Sequence, residues 1–235
     1  MLIRGLMKLT LLDYPGKVAC TVFTGGCNFR CPFCHNRSLV LPSESEKDTI
    51  AESNFFDFLK KRQGVLEGVC ITGGEPTLSP ELPEFIAKLK VLGFAVKLDT
   101  NGSRPEILEL LAKEKLIDYA ALDIKNCREK YAETAGCGRA ELEKVCESVE
   151  FLMHGGSGLD FEFRTTVVKE LHTEADFRLI GEWIGGNEKY FLQQFKDSGD
   201  ILATGMSAPS DEAMSRCLEI AKTYLPNARL RGTDL

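Results

Sequence analysis

The chain has no long apolar run, no excess of positive charge, and little histidine or tryptophan. None of its hydrophobic stretches approaches the roughly 20 consecutive apolar residues needed to cross a bilayer. Asp13, Pro15 and Lys17 interrupt the N-terminal stretch before a signal-peptide core develops. A cytoplasmic protein with no membrane partner is expected. The 29 Lys and Arg stand against 35 Asp and Glu, a formal net charge of −6. Without a basic excess, no nucleic-acid partner is expected. Low-complexity segments, linkers and sequence repeats are also missing. With 43% apolar and 27% charged residues over 235 positions, the composition is that of a globular chain able to bury a sizeable core. A single domain over residues 1–235 is expected.

Cysteine is the residue in excess, at nine copies. An odd number in a chain without a secretion signal argues against a disulfide framework and for metal ligands. Cys27, Cys31 and Cys34 stand close together in Gly25-Gly26-Cys27-Asn28-Phe29-Arg30-Cys31-Pro32-Phe33-Cys34-His35-Asn36. Gly25, Gly26, Asn28 and Pro32 make this segment a loop rather than a helix. Three thiolates on one loop suit a [4Fe–4S] cluster whose fourth iron has no protein ligand. The competing readings are a Cys₃His zinc site using His35, which is awkward because His35 adjoins Cys34, and buried cysteines with no metal. Cys127, Cys137 and Cys146 are too widely spaced for a ferredoxin-like second cluster.

Around these cysteines the chain alternates strand-like and helix-like segments. Strands are expected at 18–23, 68–72, 95–99, 119–124, 161–168 and 190–194, where β-branched and aromatic residues end in turn formers. Helices are expected at 81–92, 105–115, 142–153, 174–184 and 211–224, the last ended by Pro226. Residues 8–18 read as a strand or hairpin capped by Pro15-Gly16, and residues 1–17 as an N-terminal hairpin leading into the sheet. Gly155 to Gly158 read as a flexible loop. A βα rhythm repeated about six times implies α/β architecture with parallel strands and right-handed crossovers. It suits a partial barrel better than a complete eightfold one, and an open doubly wound sheet would give the same rhythm.

Three further motifs fall at the ends of expected strands: Thr72-Gly73-Gly74-Glu75-Pro76, Asp99-Thr100-Asn101-Gly102 and Asp123-Ile124-Lys125. Asp123 and Lys125 are two apart and share a face. Together with Cys-x₃-Cys-x₂-Cys after the first strong strand, these motifs resemble the radical S-adenosylmethionine (SAM) enzymes, in the family's order and over most of the chain. The resemblance implies a partial (β/α)6 TIM-like barrel, with Cys27, Cys31 and Cys34 holding a [4Fe–4S] cluster and acting as the catalytic centre.

It also implies a SAM site. Gly73, Gly74 and Glu75 would bind the SAM amino group. Lys125 would meet the carboxylate, and Asp99 or Asp123 would take amino or hydroxyl groups. Phe33 would pack near the adenine. Arg164 matches an arginine used near the cofactor, and Val168, on the same face of its strand, joins the set. Gln193 and Gln194 stand where related activases often have a histidine. Asp99, Thr100 and Asp123 match a monovalent-cation site beside the SAM carboxylate. His154 and His172 read as ordinary exposed or loop histidines.

Cys34-His35-Asn36 and the Asp-Thr-Asn-Gly motif are most like glycyl-radical-enzyme activases, and residues 8–18 resemble the activators of anaerobic ribonucleoside-triphosphate reductase. The activity so implied is reductive SAM cleavage, with an electron from a flavodoxin or ferredoxin-type donor, followed by hydrogen abstraction from a glycine of the partner enzyme. Alternatives are a pyruvate formate-lyase-type activase, a 7-carboxy-7-deazaguanine synthase-like enzyme acting on a small molecule, and, from another class, an iron–sulfur redox module that binds without turnover.

Overall fold

The computed structural model describes residues 1–41, 49–155, 158–186, 188–197 and 199–232. Eight strands form one open sheet in chain order: β1 (Ile3–Thr10), β2 (Ala19–Thr24), β3 (Gly68–Gly73), β4 (Ala95–Thr100), β5 (Tyr119–Asp123), β6 (Asp160–Val167), β7 (Tyr190–Gln194) and β8 (Arg229–Arg231). Strands β2 to β8 are parallel, and β1 runs antiparallel to β2. The six expected strands are β2 to β7, the partial-barrel core. The edge strand β8 carries no such signal in the sequence.

The N-terminal hairpin differs in its bounds. Its first strand begins at Ile3, and residues 11–18 form the connection, with Gly16 at φ +73°. That connection is anchored by Tyr14, 2% exposed and packed against Tyr119.

Eight helices are described: α1 (Arg37–Val40), α2 (Glu52–Lys60), α3 (Leu82–Val91), α4 (Pro105–Lys113), α5 (Tyr131–Ala135), α6 (Arg139–His154), α7 (Glu174–Ile184) and α8 (Asp211–Lys222). The local causes are visible. Pro105 opens α4 where no amide donor is needed. Thr173 and Asp176 form a capping box on α7, and the Ser210 hydroxyl caps α8. Helix α2 and the short α1 and α5 are additions to the helices expected from the sequence. In α2, Phe55 and Leu59 are buried, and Phe55 stacks on Phe85 of α3. Two residues of the Gly155–Gly158 loop, 156 and 157, lie outside the described residues. No described helix is long and apolar enough to cross a membrane.

Strand alternation sets the two faces of the sheet. Val22, Ile71, Leu98, Leu122 and Phe163 are fully buried in the apolar core with helix residues such as Leu82, Ile86 and Leu89. The opposite face carries Thr21, Thr72, Asp99, Asp123, Arg164 and Gln193, and all six line one cleft at the carboxyl ends of the strands. In open parallel sheets, ligands bind at those ends.

Candidate active site

The cleft has a volume of about 310 Å³ and collects most of the expected residues. Cys27, Cys31 and Cys34 line it from the loop after β2, together with Phe33, His35 and Asn36. Gly73 and Gly74 reach it from β3, Asp99 to Asn101 from β4, Asp123 and Lys125 from β5, and Arg164 and Thr166 from β6. Gln193 of β7 faces the cleft. Gln194 turns away and donates to the Pro209 carbonyl oxygen at 2.8 Å.

The cysteine loop is fixed by backbone bonds to other loops. The Glu75 amide donates to the Gly26 carbonyl at 2.8 Å, and the Arg30 amide donates to that of Ala135 at 3.0 Å. Gly74 has no room for a side chain: a Cβ there would fall 1.9 Å from the Gly26 oxygen. Gly73 sits at φ +115°, a conformation that favours glycine. The Gly-Gly pair thus lets the end of β3 press against the cluster loop.

Glu75 is 2% exposed. Its carboxylate accepts from the Thr77 amide (3.1 Å) and hydroxyl (2.5 Å), the Thr100 hydroxyl (2.7 Å) and the Asn101 amide (2.7 Å). Four bonds use a carboxylate's acceptor capacity. Burial pushes its pKa up, and these donors resist the rise. The side chain expected to lend charge to an ammonium is committed instead to joining the ends of β3 and β4. That leaves Gly73 and Gly74 as the part of the motif whose backbone can meet a ligand.

Across the cleft runs a chain of charges. Lys97, 1% exposed, pairs with Asp99. Arg164 bridges Asp99 at 3.0 Å and Asp123 at 2.9 Å, and Lys125 pairs with Asp123 at 3.1 Å. Burial alone would raise both carboxylates, but Arg164, with Lys97 at Asp99 and Lys125 at Asp123, holds them below the usual range. Burial would lower the Lys125 ammonium, and Asp123 and Cys31 reverse that. Asp99, Asp123, Lys125 and Arg164 thus keep their charges and present both signs to a zwitterion.

Some expected placements are corrected. Val168 does not line the cleft: β6 ends at Val167, and Val168 is buried, its amide donating to His172 Nδ1 at 3.1 Å. His172 does lie in the loop between β6 and α7, but it is buried there, 8% exposed, and its Nε2 donates to the Lys125 carbonyl at 2.9 Å. It fixes the backbone that carries Lys125, a role the sequence did not disclose. Asp99, Thr100 and Asp123, expected as a cation site, all line the cleft. The Thr100 hydroxyl turns to Glu75, and Arg164 stands between the two carboxylates. Cys127, Cys137 and Cys146 are free thiols. Among the described residues, no three His, Cys, Asp or Glu are placed to hold a single metal ion.

Residues 21–158 match the model of the Radical SAM superfamily. The chain belongs to the radical SAM superfamily. It is 34% identical over 236 residues to a Methanocaldococcus jannaschii protein named as a candidate glycyl-radical enzyme activating enzyme, covering 98% of this chain and 95% of that one. It is 31% identical to an S-adenosylmethionine-dependent nucleotide dehydratase of a Thermoplasmatales archaeon, over 66% of this chain and 53% of the relative. In fold it is similar to Streptococcus suis SuiB bound to S-adenosylmethionine, with TM-score 0.69 and 16% identity over 90% of this chain and 49% of SuiB.

Radical SAM enzymes use a [4Fe–4S] cluster and SAM, and the residues in the cleft fit both. The donor set is three unpaired thiols on one glycine- and proline-rich loop, facing a wall of alternating charge. Burial pushes the Cys27 thiol up to about 11 and the Cys31 thiol up to about 12. Loading a metal centre there must release those protons.

Proposed function

We propose that this radical SAM enzyme activates a glycyl-radical partner, with anaerobic ribonucleoside-triphosphate reductase as the partner class and a flavodoxin or ferredoxin-type protein as electron donor. The main support is the activating-enzyme relative, which aligns with nearly the whole chain, whereas the nucleotide-acting relative aligns with two thirds of it. In this reading Cys27, Cys31 and Cys34 hold the cluster. Lys125 binds the SAM carboxylate, Asp99 and Asp123 meet its amino and hydroxyl groups, and Arg164 keeps those carboxylates apart and ionised. The Gly73-Gly74 backbone and Phe33 form the walls. The cluster, when bound, would supply the one-electron reductive cleavage of SAM that makes hydrogen abstraction from the partner's glycine possible. The chain's own contribution is position: groups held on strand ends keep the reacting atoms in near contact and shield them from water.

The cleft also has a lip suited to a macromolecular substrate. Met7 lines it, and Leu9, Leu11 and Leu12 of the same hairpin are exposed. The test is EPR of a reduced, SAM-supplied mixture with an anaerobic ribonucleotide reductase. A glycyl-radical doublet that requires this enzyme supports activation. SAM turnover with no protein radical, and deuterium transfer into 5′-deoxyadenosine from a labelled nucleotide, supports a small-molecule enzyme instead.

A further inference from the structure

The three cluster cysteines are not equivalent in their surroundings. Cys27 Sγ accepts from the Phe29 amide at 3.4 Å and lies 3.9 Å from the Asn101 side-chain nitrogen. Cys31 Sγ instead faces a carbonyl, that of Ala135, at 3.5 Å.

The orientation of Asn101 is over-determined. Its Oδ1 accepts from the Ser103 amide at 2.9 Å, so its Nδ2 must point the other way. One Nδ2 hydrogen goes to Asn28 Oδ1 at 3.0 Å, which leaves the second for Cys27. Asn28 closes the ring by donating to the Ser103 hydroxyl at 2.9 Å. The Asn101 backbone is fixed by Glu75, whose carboxylate accepts its amide at 2.7 Å. Asn101 is 6% exposed and Ser103 1%, so water does not compete for these bonds.

We infer that Asn101 is a positioning residue that acts through Cys27, donating an N–H···S bond that raises the reduction potential of the cluster. The inference rests on the assignment of Cys27 as a cluster ligand. Reduction adds negative charge that spreads onto the ligand sulfurs. A fixed donor stabilises the reduced form more than the oxidised one, and hydrogen bonds to cluster sulfurs are a recognised determinant of potential. Glu75 complements this arrangement by holding the donor in place from the end of β3.

The experiment is redox titration of the reconstituted cluster, followed by EPR, in wild type, Asn101→Ala, Asn101→Asp and Ser103→Ala. Asn101→Asp keeps the shape and the bond from the Ser103 amide while removing both amide hydrogens. Ser103→Ala loosens Asn28 but leaves the donor. Both Asn101 variants should hold a cluster and be harder to reduce by about tenfold, a shift of about 59 mV to more negative potential for one electron. Ser103→Ala should titrate close to wild type.

Wild-type potentials in both Asn101 variants, or the same shift in Ser103→Ala, would overturn the inference. So would folded Asn101 variants that hold no cluster, since Asn101 would then support the loop rather than tune reduction. A Cys27→Ala protein that loads a cluster like wild type would instead overturn the ligand assignment, and with it this inference.

Discussion

The interior of the sheet carries two buried charge networks, one at each end of the strands, and they differ in what they leave open. At the carboxyl ends, Asp99, Arg164, Asp123 and Lys125 line the cleft, with Lys125 and Asp123 partly exposed. At the opposite end, Glu162 is fully buried and its two oxygens meet Arg231 at 2.5 and 2.8 Å, with the Tyr119 hydroxyl donating at 2.8 Å. Arg231 lies 3.6 Å over the ring of Phe191. Burial would raise the Glu162 carboxyl, but Arg231 holds it low. The first network keeps charge available to a ligand. The second satisfies the buried Glu162 carboxylate within the protein and forms the floor, with the Arg231 side chain 26% exposed. The same residue types thus line a cleft at one end and pair away from it at the other, according to which strand ends the register brings together.

The sharpest way to break this contrast is at the floor. Arg231→Met leaves Glu162 buried without its partner and should cost about 3–5 kcal/mol in urea denaturation. SAM affinity should be almost unchanged at temperatures where the fold survives. Adding Glu162→Gln should restore much of the loss, because the orphaned charge is gone. A double variant as unstable as the single one would show that Arg231 acts by packing.

At the cleft the balance should invert. Lys125→Met removes a hydrogen-bonded charge from the ligand wall, a loss of about 1.5–3 kcal/mol. Calorimetry should therefore show SAM binding weaker by roughly 10- to 150-fold. Stability should move little, because Asp123 keeps Arg164. A large drop in unfolding midpoint with normal SAM affinity would assign Lys125 to the scaffold.

Acid should weaken both ends together. Asp99, Asp123 and Glu162 all have folded pKa values held below their ordinary values, which lie near 4. Their contribution is present above that range and is lost as pH falls through the folded values. The urea midpoint should fall steadily between about pH 5 and 3, and less steeply in Glu162→Gln. Equal slopes would remove Glu162 from the account. The smallest effect is expected at Phe191→Leu, where loss of the cation–π contact costs about 1 kcal/mol in the same denaturation assay.

Much of the open end was legible in the sequence because its residues come as contiguous motifs. Cys27 to Cys34, Gly73-Gly74, Asp99-Thr100-Asn101 and Asp123-x-Lys125 each sit at one strand end, so short-range spacing places them. The floor was not legible. Glu162 and Arg231 are far apart in sequence, and β8 is three residues long, too short for a periodic signal. Lys97 and Cys70 look like ordinary interruptions of apolar strands until the sheet shows that one face encloses a polar interior. The role of Glu75 was hidden for a related reason. Its partners Thr100 and Asn101 belong to another strand end, and only the parallel register brings them to it. Helix α2 was not legible because residues 35 to 67 contain no strong turn-bounded pattern, and its cover of the sheet rests on Phe55 and Leu59.

The central claim is that the cleft at the strand ends is a SAM-cleaving site built on Cys27, Cys31 and Cys34. The direct test is anaerobic reconstitution with iron and sulfide, reduction with dithionite, addition of SAM, and quantitation of 5′-deoxyadenosine and methionine in wild type and Cys31→Ala. Formation of both products in wild type and neither in the variant is the expected result. Zinc uptake without iron, or a stable cluster that leaves SAM intact, would contradict it.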